Sequence, residues 1–387
     1  MLWTPLRWAV LVGAVLPFVY YLAVIYCAWR FFKNRGEDPA DPAPPEPPLS
    51  VLKPVRGLDR EAYVNYASFC RQAYPRYEIL FGVADDRDPA IPAIQDVIRD
   101  FPEVPIRLVI GSEDFGSNDK VNRLCRLVRE ARYDLLVISD SDIRVGPGYL
   151  TRVASAFSDP RVGAVTSLYR GLAEPLLWSE LEAITLASSF LGGVLVARQM
   201  EGVRFGLGAS TAITRQRLSE IGGFEALVDF ASDDFELGKR VASRGYRVEL
   251  SSYTIETVCP SRTAREFCEQ QLRWAIGLRH SRPGGYFGLL VTQGLAWSLA
   301  AAAAAHSAPA AAGYIGIYLA LRLAMAWTVG VWGLRDQLLR KKLWLVPLSD
   351  ALGFLIWLFS FGCNRIIWRG SEFYVRKGRL VPRPTAP

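Results

Sequence analysis

The stretch Asp134-Leu-Leu-Val-Ile-Ser-Asp-Ser-Asp142 decides the fold, because an apolar run ends abruptly in two carboxylates spaced two residues apart. An uninterrupted apolar run of this kind is typical of a strand covered on both faces, as in a parallel sheet. Ligands of open α/β sheets bind beyond the carboxyl ends of the strands. Asp140 and Asp142 are therefore candidate ligands of a hard divalent cation, which prefers oxygen. An isolated D-x-D is more often only a turn that caps the next segment, so the surrounding sequence must decide.

The chain around this stretch alternates between strand and helix patterns. Strand-like runs lie at residues 50–53, 78–84, 106–110 and 134–139, and helix-period segments separate them at residues 60–72, 89–101 and 118–131. This order predicts a mostly parallel, Rossmann-like α/β sheet with right-handed crossovers. No G-x-G-x-x-G follows the first strand, so a dinucleotide cofactor is not indicated.

Charged side chains follow several of the predicted strands. Lys53 comes after the first strand, Asp85 and Asp86 after the second, and Asp140 and Asp142 after the fourth. The carboxyl ends of parallel strands lie along one edge of a sheet, so these residues are expected to share a ligand site.

Three later segments contain small, acidic or cationic residues that are further candidates for a ligand site. Residues 205–211 (FGLGAST) are small enough for backbone to approach a ligand closely. Asp233 and Asp234 open a predicted helix, where the helix dipole stabilises acidic residues whether or not they have a chemical role. Residues 270–274 (QQLRW) place a cation and an aromatic ring just before an apolar segment, which is also typical of a helix at a bilayer surface.

Composition limits the classes of function. The 387 residues are 51% hydrophobic and carry a net charge of +7, which suits nucleic acid, an anionic membrane or a phosphorylated substrate. Long apolar runs at both ends favour the last two, and no nucleic-acid partner is expected. The six cysteines form no C-x-x-C pair, which indicates reduced thiols in a cytosol. With only two histidines, any catalysis should depend on carboxylates.

The N-terminal region predicts a membrane anchor. Residues 8–29 are uncharged and long enough to cross a bilayer as a helix, and no cleavage site follows them. We assign residues 1–32 to the anchor and residues 33–48 to a stiff, proline-rich linker. The basic residues that follow the apolar run predict that residues 49–283, the α/β domain, lie in the cytosol.

Residues 284–368 are expected to form C-terminal membrane helices, followed by a basic cytosolic tail at residues 369–387. Two helices with a turn near residues 307–309 should span the membrane. For residues 343–363 we expect a re-entrant or interfacial hairpin, with a third span as the alternative, because one more crossing would place the basic tail outside.

Two charges and one further apolar segment fall in or near the membrane. Arg322 and Asp350 are costly at membrane depth, so we hypothesise that they pair within the helix bundle; the alternative is that each reaches an interface separately. Residues 174–200 are apolar but interrupted. They predict either a segment lying on the bilayer, where it would face an embedded lipid, or ordinary core helices.

Together these motifs resemble the inverting GT-A glycosyltransferases over about residues 50–288, and within them the ceramide glucosyltransferase family. The resemblance is carried by the Asp pair after the second strand, the D-x-D, a third Asp, and Q-x-x-R-W before membrane helices. Residues 140–145 (DSDIRV), 118–122 (NDKVN) and 223–226 (GFEA) are most similar to the bacterial hopanoid-associated members. Eukaryotic ceramide enzymes have Gly where this chain has Asp142, which weakens the transfer of acceptor identity.

The resemblance implies a nucleotide-sugar site with the following composition. Lys53, Asp85, Asp86, Lys120, Asn122 and Asp140 would bind the donor, Asp140 and Asp142 would hold Mg²⁺ or Mn²⁺, and Gln270, Arg273 and Trp274 would close the donor and acceptor site. Asp234 would be the general base, with Asp233 as the alternative.

The function implied is transfer of one sugar, glucose or N-acetylglucosamine, from a UDP-sugar to a lipid hydroxyl such as that of a ceramide or a hopanoid polyol. The enzyme would be a multi-pass protein of the bacterial cytoplasmic membrane. The alternative is a processive polysaccharide synthase, which shares the D-x-D and Q-x-x-R-W motifs but needs enough membrane helices to build a polymer channel.

Overall fold

The computed structural model describes residues 3–33 and 46–382. These residues form two compact units. The sheet unit contains residues 46–169, 203–258 and 373–382, and the helical unit contains the N-terminal helices with residues 170–202 and 259–372. Most of the predicted proline-rich linker, residues 34–45, lies outside the described part of the chain.

An eight-stranded mixed sheet organises the sheet unit, with strand order β3-β2-β1-β4-β7-β6-β8-β5. The strands are β1 Leu49–Pro54, β2 Tyr77–Val83, β3 Ile106–Ile110, β4 Leu135–Ser139, β5 Ile143–Arg144, β6 Val162–Ala173, β7 Ser210–Thr214 and β8 Arg247–Cys259. Strands β1 to β4 pair in parallel, and β7 joins β4 in the antiparallel sense. The four predicted strands are confirmed, whereas β5 to β8 were not predicted.

Helices cover both faces of the parallel strands. They are Ala62–Cys70, Ile91–Asp100, Asp119–Glu130, Tyr149–Ser155, Arg215–Glu220 and Asp233–Ser243. Successive strand side chains point to opposite faces, so Val51 and Leu52 belong to two different buried clusters. Helices Ala62–Cys70 and Ile91–Asp100 contribute to the first cluster and Asp119–Glu130 to the second. This double burial explains the continuous apolar strand sequences.

The helical unit contains four helices that are long and apolar enough to cross a membrane: Thr4–Lys33, Leu177–Glu201, Ala308–Gly333 and Leu343–Ser360. A fifth candidate, Pro283–Thr292 with Gly294–Ala304, is bent by 48°. The remaining helices are Ala264–Ser281 and Gln337–Lys341. The turn expected near residues 307–309 is found, because Ser307 caps the helix that begins at Ala308.

The structure bears on two predictions about apolar segments. Residues 343–360 form one continuous helix rather than a hairpin, because Pro347 lies in the first turn of helix Val346–Ser360, where proline is tolerated. This helix is long enough for the alternative of a third span. The bent segment lies at residues 283–304 instead. Leu177–Glu201 was expected to be interrupted, but it is continuous through a π-helical turn at Leu186–Phe190 and is long enough to cross a membrane. Most of it is buried, which agrees with the alternative of core helices.

The hypothesis that Arg322 and Asp350 pair is confirmed. The Arg322 side chain is 2% exposed, and its guanidinium donates to both oxygens of Asp350 at 2.8 to 3.1 Å. The hydroxyl of Tyr318 also donates to Asp350, at 2.9 Å, and Ser188 and Ser189 accept from the guanidinium at 3.1 and 2.8 Å. Mutual neutralisation offsets the cost of placing both charges in an apolar bundle.

Residues 365–382 are folded rather than forming a plain basic tail. After β9 (Arg365–Trp368), strands β10 (Ser371–Arg376) and β11 (Arg379–Pro382) form a hairpin in which Arg376 pairs with Arg379. The two loop residues, Lys377 and Gly378, have φ of 50° and 80°. Positive φ at both positions is the geometry of the two-residue turn that matches the twist of a hairpin.

Candidate active site

The D-x-D turn lies between β4 and β5, at the carboxyl end of the parallel strands, and the Lys53 side chain contacts it. The Lys53 side chain is fully buried in β1, and its ammonium donates to the Asp140 carbonyl at 2.9 Å. It also lies 3.9 Å from the centroid of the Phe69 ring. Burial lowers the pKa of Lys53 to about 7. The structure therefore places Lys53 behind the turn, where it orients the backbone of Asp140.

The Asp140 carboxylate meets a second lysine. The Lys120 ammonium lies 2.7 Å from Asp140 Oδ1 and 3.5 Å from Asp233 Oδ2. Burial alone lowers the pKa of Lys120, but the two carboxylates outweigh burial and raise it, so this lysine is charged. Lys120 thus links the D-x-D to the later Asp pair, and 34% of the Asp140 side chain remains exposed.

Asp142 is oriented by strand β8. Its Oδ2 accepts a hydrogen bond of 3.1 Å from the Thr257 hydroxyl, and its carbonyl accepts from the Val258 amide at 3.2 Å. Between the two aspartates, the Ser141 hydroxyl donates to Asp59. Thr257 and Asp59 had no sequence signal as site residues, because only the tertiary fold brings them to the turn.

The Asp140 and Asp142 carboxylates fit a divalent cation whose other ligands are substrate phosphates and waters. No group of three or more His, Cys, Asp or Glu side chains with metal-binding geometry occurs within residues 3–33 and 46–382. Asp140 and Asp142 offer two carboxylates, which is the protein share expected for Mg²⁺ bound with substrate phosphates and waters. A structural metal cage is not present in this part of the chain.

Gly206 and Gly208 pack closely against Asp234. The Gly206 amide donates to the Asp234 carbonyl at 3.1 Å. A Cβ at Gly206 would come within 2.6 Å of that carbonyl, and one at Gly208 within 3.1 Å of Asp234 Oδ2. The Phe205 and Phe235 rings stack with centroids 6.3 Å apart. The small-residue stretch predicted to approach a ligand therefore packs directly against Asp234.

The protonation of Asp234 suits proton transfer near neutral pH. Burial, followed by the adjacent charge of Asp233, raises the pKa of Asp234 to about 7. A base whose pKa lies near the working pH is both deprotonated and able to accept a proton efficiently. Asp233 instead faces Lys120 and the Asn118 amide, which is 3.4 Å from Asp233 Oδ1.

The two asparagines in residues 118–122 form hydrogen bonds with nearby backbone groups. Asn118 caps helix Asp119–Glu130 by accepting from the Lys120 and Val121 amides at 3.1 and 3.2 Å. Asn122 accepts from the Phe115 amide at 3.3 Å and donates to the Gly116 carbonyl at 2.7 Å. Asn122, a predicted nucleotide ligand, thus uses both ends of its amide within the protein.

Asp85 and Asp86 follow β2 as predicted, and both are exposed. Asp85 accepts a hydrogen bond of 2.8 Å from the Arg87 amide and so closes its own turn. Their carboxylates are accessible to a ligand at the carboxyl edge of the sheet.

Gln270, Arg273 and Trp274 lie in the helical unit on helix Ala264–Ser281. Arg273 donates to Gln270 Oε1 at 2.8 Å, and its guanidinium is 5.9 Å from the centroid of Trp274. Glu182, a buried carboxylate that sequence reasoning missed, accepts from the Ser261 amide at 3.3 Å and interacts with Gln270 and Arg273. A carboxylate inside an apolar helix such as Leu177–Glu201 was the available signal.

The chain thus combines paired acids at the carboxyl edge of an α/β sheet with helices long and apolar enough to cross a membrane. The profile of the Glycosyl transferase family 21 matches residues 9–381, and the chain belongs to this family. The predicted fold class, a GT-A-type α/β domain with apolar helices at both ends of the chain, is confirmed.

Curated relatives support the same assignment. Ceramide glucosyltransferase 1 of Caenorhabditis elegans is 29% identical over 262 residues, which cover 67% of this chain and 55% of the relative. The ceramide glucosyltransferase of Gibberella zeae is 34% identical over 151 residues, covering 36% of this chain and 29% of the relative. The chain spans just over half the length of the Caenorhabditis elegans relatives that it matches. The resemblance to the ceramide glucosyltransferase family is therefore confirmed.

Among solved structures, the chain is similar to a mannosyltransferase of Pyrobaculum calidifontis in complex with GDP-mannose and Mn²⁺. That structure has a TM-score of 0.48 and 20% sequence identity, with 89% of this chain and 99% of the other covered.

Proposed function

We propose that this protein is an inverting, membrane-bound glycosyltransferase that moves a single sugar from a UDP-sugar to the hydroxyl of a membrane lipid. The observation that carries the proposal is the convergence of Asp140, Asp233 and Asp234 around the Lys120 ammonium at the edge of the sheet. Membership of family 21 and the apolar helices support the sugar chemistry and the lipid acceptor.

In this proposal the donor diphosphate binds beside the D-x-D turn. Asp140 and Asp142 would hold Mg²⁺ or Mn²⁺, which supplies positive charge to the leaving nucleoside diphosphate. Lys53 keeps the Asp140 backbone in place, and Lys120 adds a fixed positive charge. Asp85 and Asp86, exposed at the end of β2, are assigned to the nucleoside.

Asp234 is the proposed general base. It accepts the proton from the acceptor hydroxyl as that oxygen attacks the anomeric carbon from the face opposite the leaving group. One base is sufficient for such a direct displacement, which explains why a chain with only two histidines can carry the reaction. An α-linked donor would then give a β-linked glycolipid.

The acceptor is proposed to be a ceramide or a hopanoid polyol, and the sugar glucose or N-acetylglucosamine. Gln270, Arg273 and Trp274 are assigned by the family resemblance to donor and acceptor binding, and Arg273 to the stabilisation of charge on the leaving group. The orientation proposed for the protein keeps the sheet unit in the cytosol of a bacterial cell.

The test is a transfer assay in detergent with Mn²⁺, a panel of UDP-sugars, and ceramide or a hopanoid polyol, with lipid products measured by mass spectrometry. We expect one hexose or hexosamine adduct per lipid, which disappears in Asp234→Asn and persists in Asp96→Asn, a half-exposed helix position. Longer products would favour a processive synthase. UDP release without a lipid adduct would contradict the lipid acceptor, and no turnover of any donor by folded protein would contradict the transferase proposal.

A further inference from the structure

The C-terminal hairpin makes an unexpected contact within the sheet unit. The Ala231 amide donates to the Gly378 carbonyl at 2.9 Å, and the Leu380 amide donates to the Asp229 carbonyl at 2.6 Å. Phe230 and Arg379 are bridge partners in the antiparallel sense. Residues 229–231 therefore pair with the hairpin as one more short strand, and they precede Asp233 by only two residues.

Side chains reinforce this pairing. The Arg379 guanidinium lies 3.7 Å from Asp229 Oδ2 and 5.2 Å from the centroid of the Phe230 ring. Arg240, on the helix that begins with Asp233, lies 5.6 Å from the same ring. Hairpin residues Val375 and Leu380 are buried.

Residues 228–231 in turn hold the loop that leads into helix Asp119–Glu130. Asp229 Oδ1 accepts from the Ser117 amide at 3.2 Å, and the Val228 carbonyl accepts from the Asn118 amide at 2.7 Å. The Asn118 side chain donates to the Phe230 carbonyl at 2.8 Å and approaches Asp233 at 3.4 Å. The two segments pack closely at this point, since a Cβ at Gly116 would lie 2.6 Å from Asp229 Oδ1.

We propose that the hairpin of residues 371–382 is a positioning element of the active site, which holds residues 228–231 and, through Asn118, sets the geometry of Lys120, Asp233 and Asp234. This inference rests on the proposed function for its catalytic consequence. The hairpin touches none of the reacting atoms in this scheme. Its effect arises because a displacement of about 1 Å of catalytic groups is enough to slow a reaction greatly.

The bridge geometry provides a reversible test. The hydrogen bonds flank the pair Phe230–Arg379, which makes it a non-hydrogen-bonded pair with Cα atoms about 4.5 Å apart, within disulfide range. The variant Phe230→Cys/Arg379→Cys should lose the ring and guanidinium contacts when reduced and regain a fixed hairpin when oxidised. Wild type treated with the same oxidant and reductant controls for its six natural cysteines.

We expect kcat of the reduced variant to fall about tenfold or more, with the KM for UDP-sugar changed by less than about twofold, and oxidation to restore most of kcat. A purely stabilising hairpin would change the melting temperature but leave kcat equal in the two forms at a temperature well below melting. That result, with disulfide formation verified by mass, would overturn the proposal.

Two further measurements test the same proposal: kcat of single variants and hydrogen exchange. Arg379→Ala should lower kcat, whereas Arg376→Ala, at an exposed position on the same hairpin, should not. Hydrogen exchange of residues 115–122 and 228–236 should be faster in the reduced than in the oxidised disulfide variant. If wild type transfers no sugar, the proposed function fails, but this exchange difference still decides whether the hairpin holds the site; equal exchange would contradict it.

Discussion

Each of the two units contains a buried or half-buried cluster of opposite charges. The clusters differ in how many of their carboxylate oxygens accept hydrogen bonds from protein donors. In the helical unit, Asp350 accepts hydrogen bonds from Arg322 and Tyr318 on both of its oxygens. In the sheet unit, one ammonium, Lys120, faces Asp140 and Asp233, and part of the Asp140 side chain stays exposed.

This difference separates a structural ion pair from a ligand site. A carboxylate whose oxygens are all engaged by protein donors has no capacity left for a substrate, and its role is to join the helices that supply the donors. A cluster with more negative than positive charge is costly unless a cation or a cationic ligand joins it. The sheet-unit cluster is therefore the one expected to bind and react.

The largest effect is expected from Asp234→Asn, which removes the proposed base but keeps the shape of the side chain. Transfer should fall by about 10²–10⁴-fold, the usual contribution of general base catalysis, with little change in UDP binding. Product formation by mass spectrometry and UDP binding by calorimetry measure the two quantities. Activity close to wild type would assign the base elsewhere, with Asp233→Asn as the next variant.

Breaking the other cluster should affect stability rather than chemistry. Arg322→Met leaves Asp350 buried without its main partner, and we expect the free energy of unfolding to fall by about 3–5 kcal/mol. The double variant Arg322→Met/Asp350→Leu should recover much of that loss, because both charges are then gone. Thermal unfolding in detergent measures this, and a double variant no better than the single one would contradict the ion-pair explanation.

Lys53→Met tests the support beneath the D-x-D turn. The methionine fills the same buried space beside Phe69 but cannot donate to the Asp140 carbonyl. Groups that orient metal ligands typically contribute 10–100-fold to metal affinity, so the Mn²⁺ concentration for half-maximal activity should rise by about tenfold or more. An unchanged metal dependence would show that Lys53 serves packing alone.

The mildest test needs no variant and measures the pH dependence of wild type. Because burial and Asp233 raise the pKa of Asp234 to about 7, the carboxylate becomes protonated as pH falls through that value. A protonated base cannot accept a proton, so kcat/KM should decline about tenfold per pH unit below 7 and level off above it. A profile that is flat between pH 5.5 and 7.5 would contradict Asp234 as the titrating base.

The local sequence predicted most of the first half of the fold. Strands β1, β2 and β4 were recognisable because they are buried on both faces and are mostly apolar. Strand β7, Ser210–Thr214, was missed because it has three hydroxyl residues in five and reads as part of a small-residue stretch. Its strand geometry comes from pairing with distant partners, such as β4.

The sequence by itself determined the chemical inventory: acids at strand ends, almost no histidine, and apolar segments at both ends of the chain. These follow from local pattern and composition, which a linear chain displays directly. Only the tertiary structure decided that Lys53 lies behind the D-x-D turn, that Gly206 packs on Asp234, and that Arg379 contacts the segment before Asp233. Such contacts join residues far apart in the chain, and their energy depends on distances that no local pattern encodes.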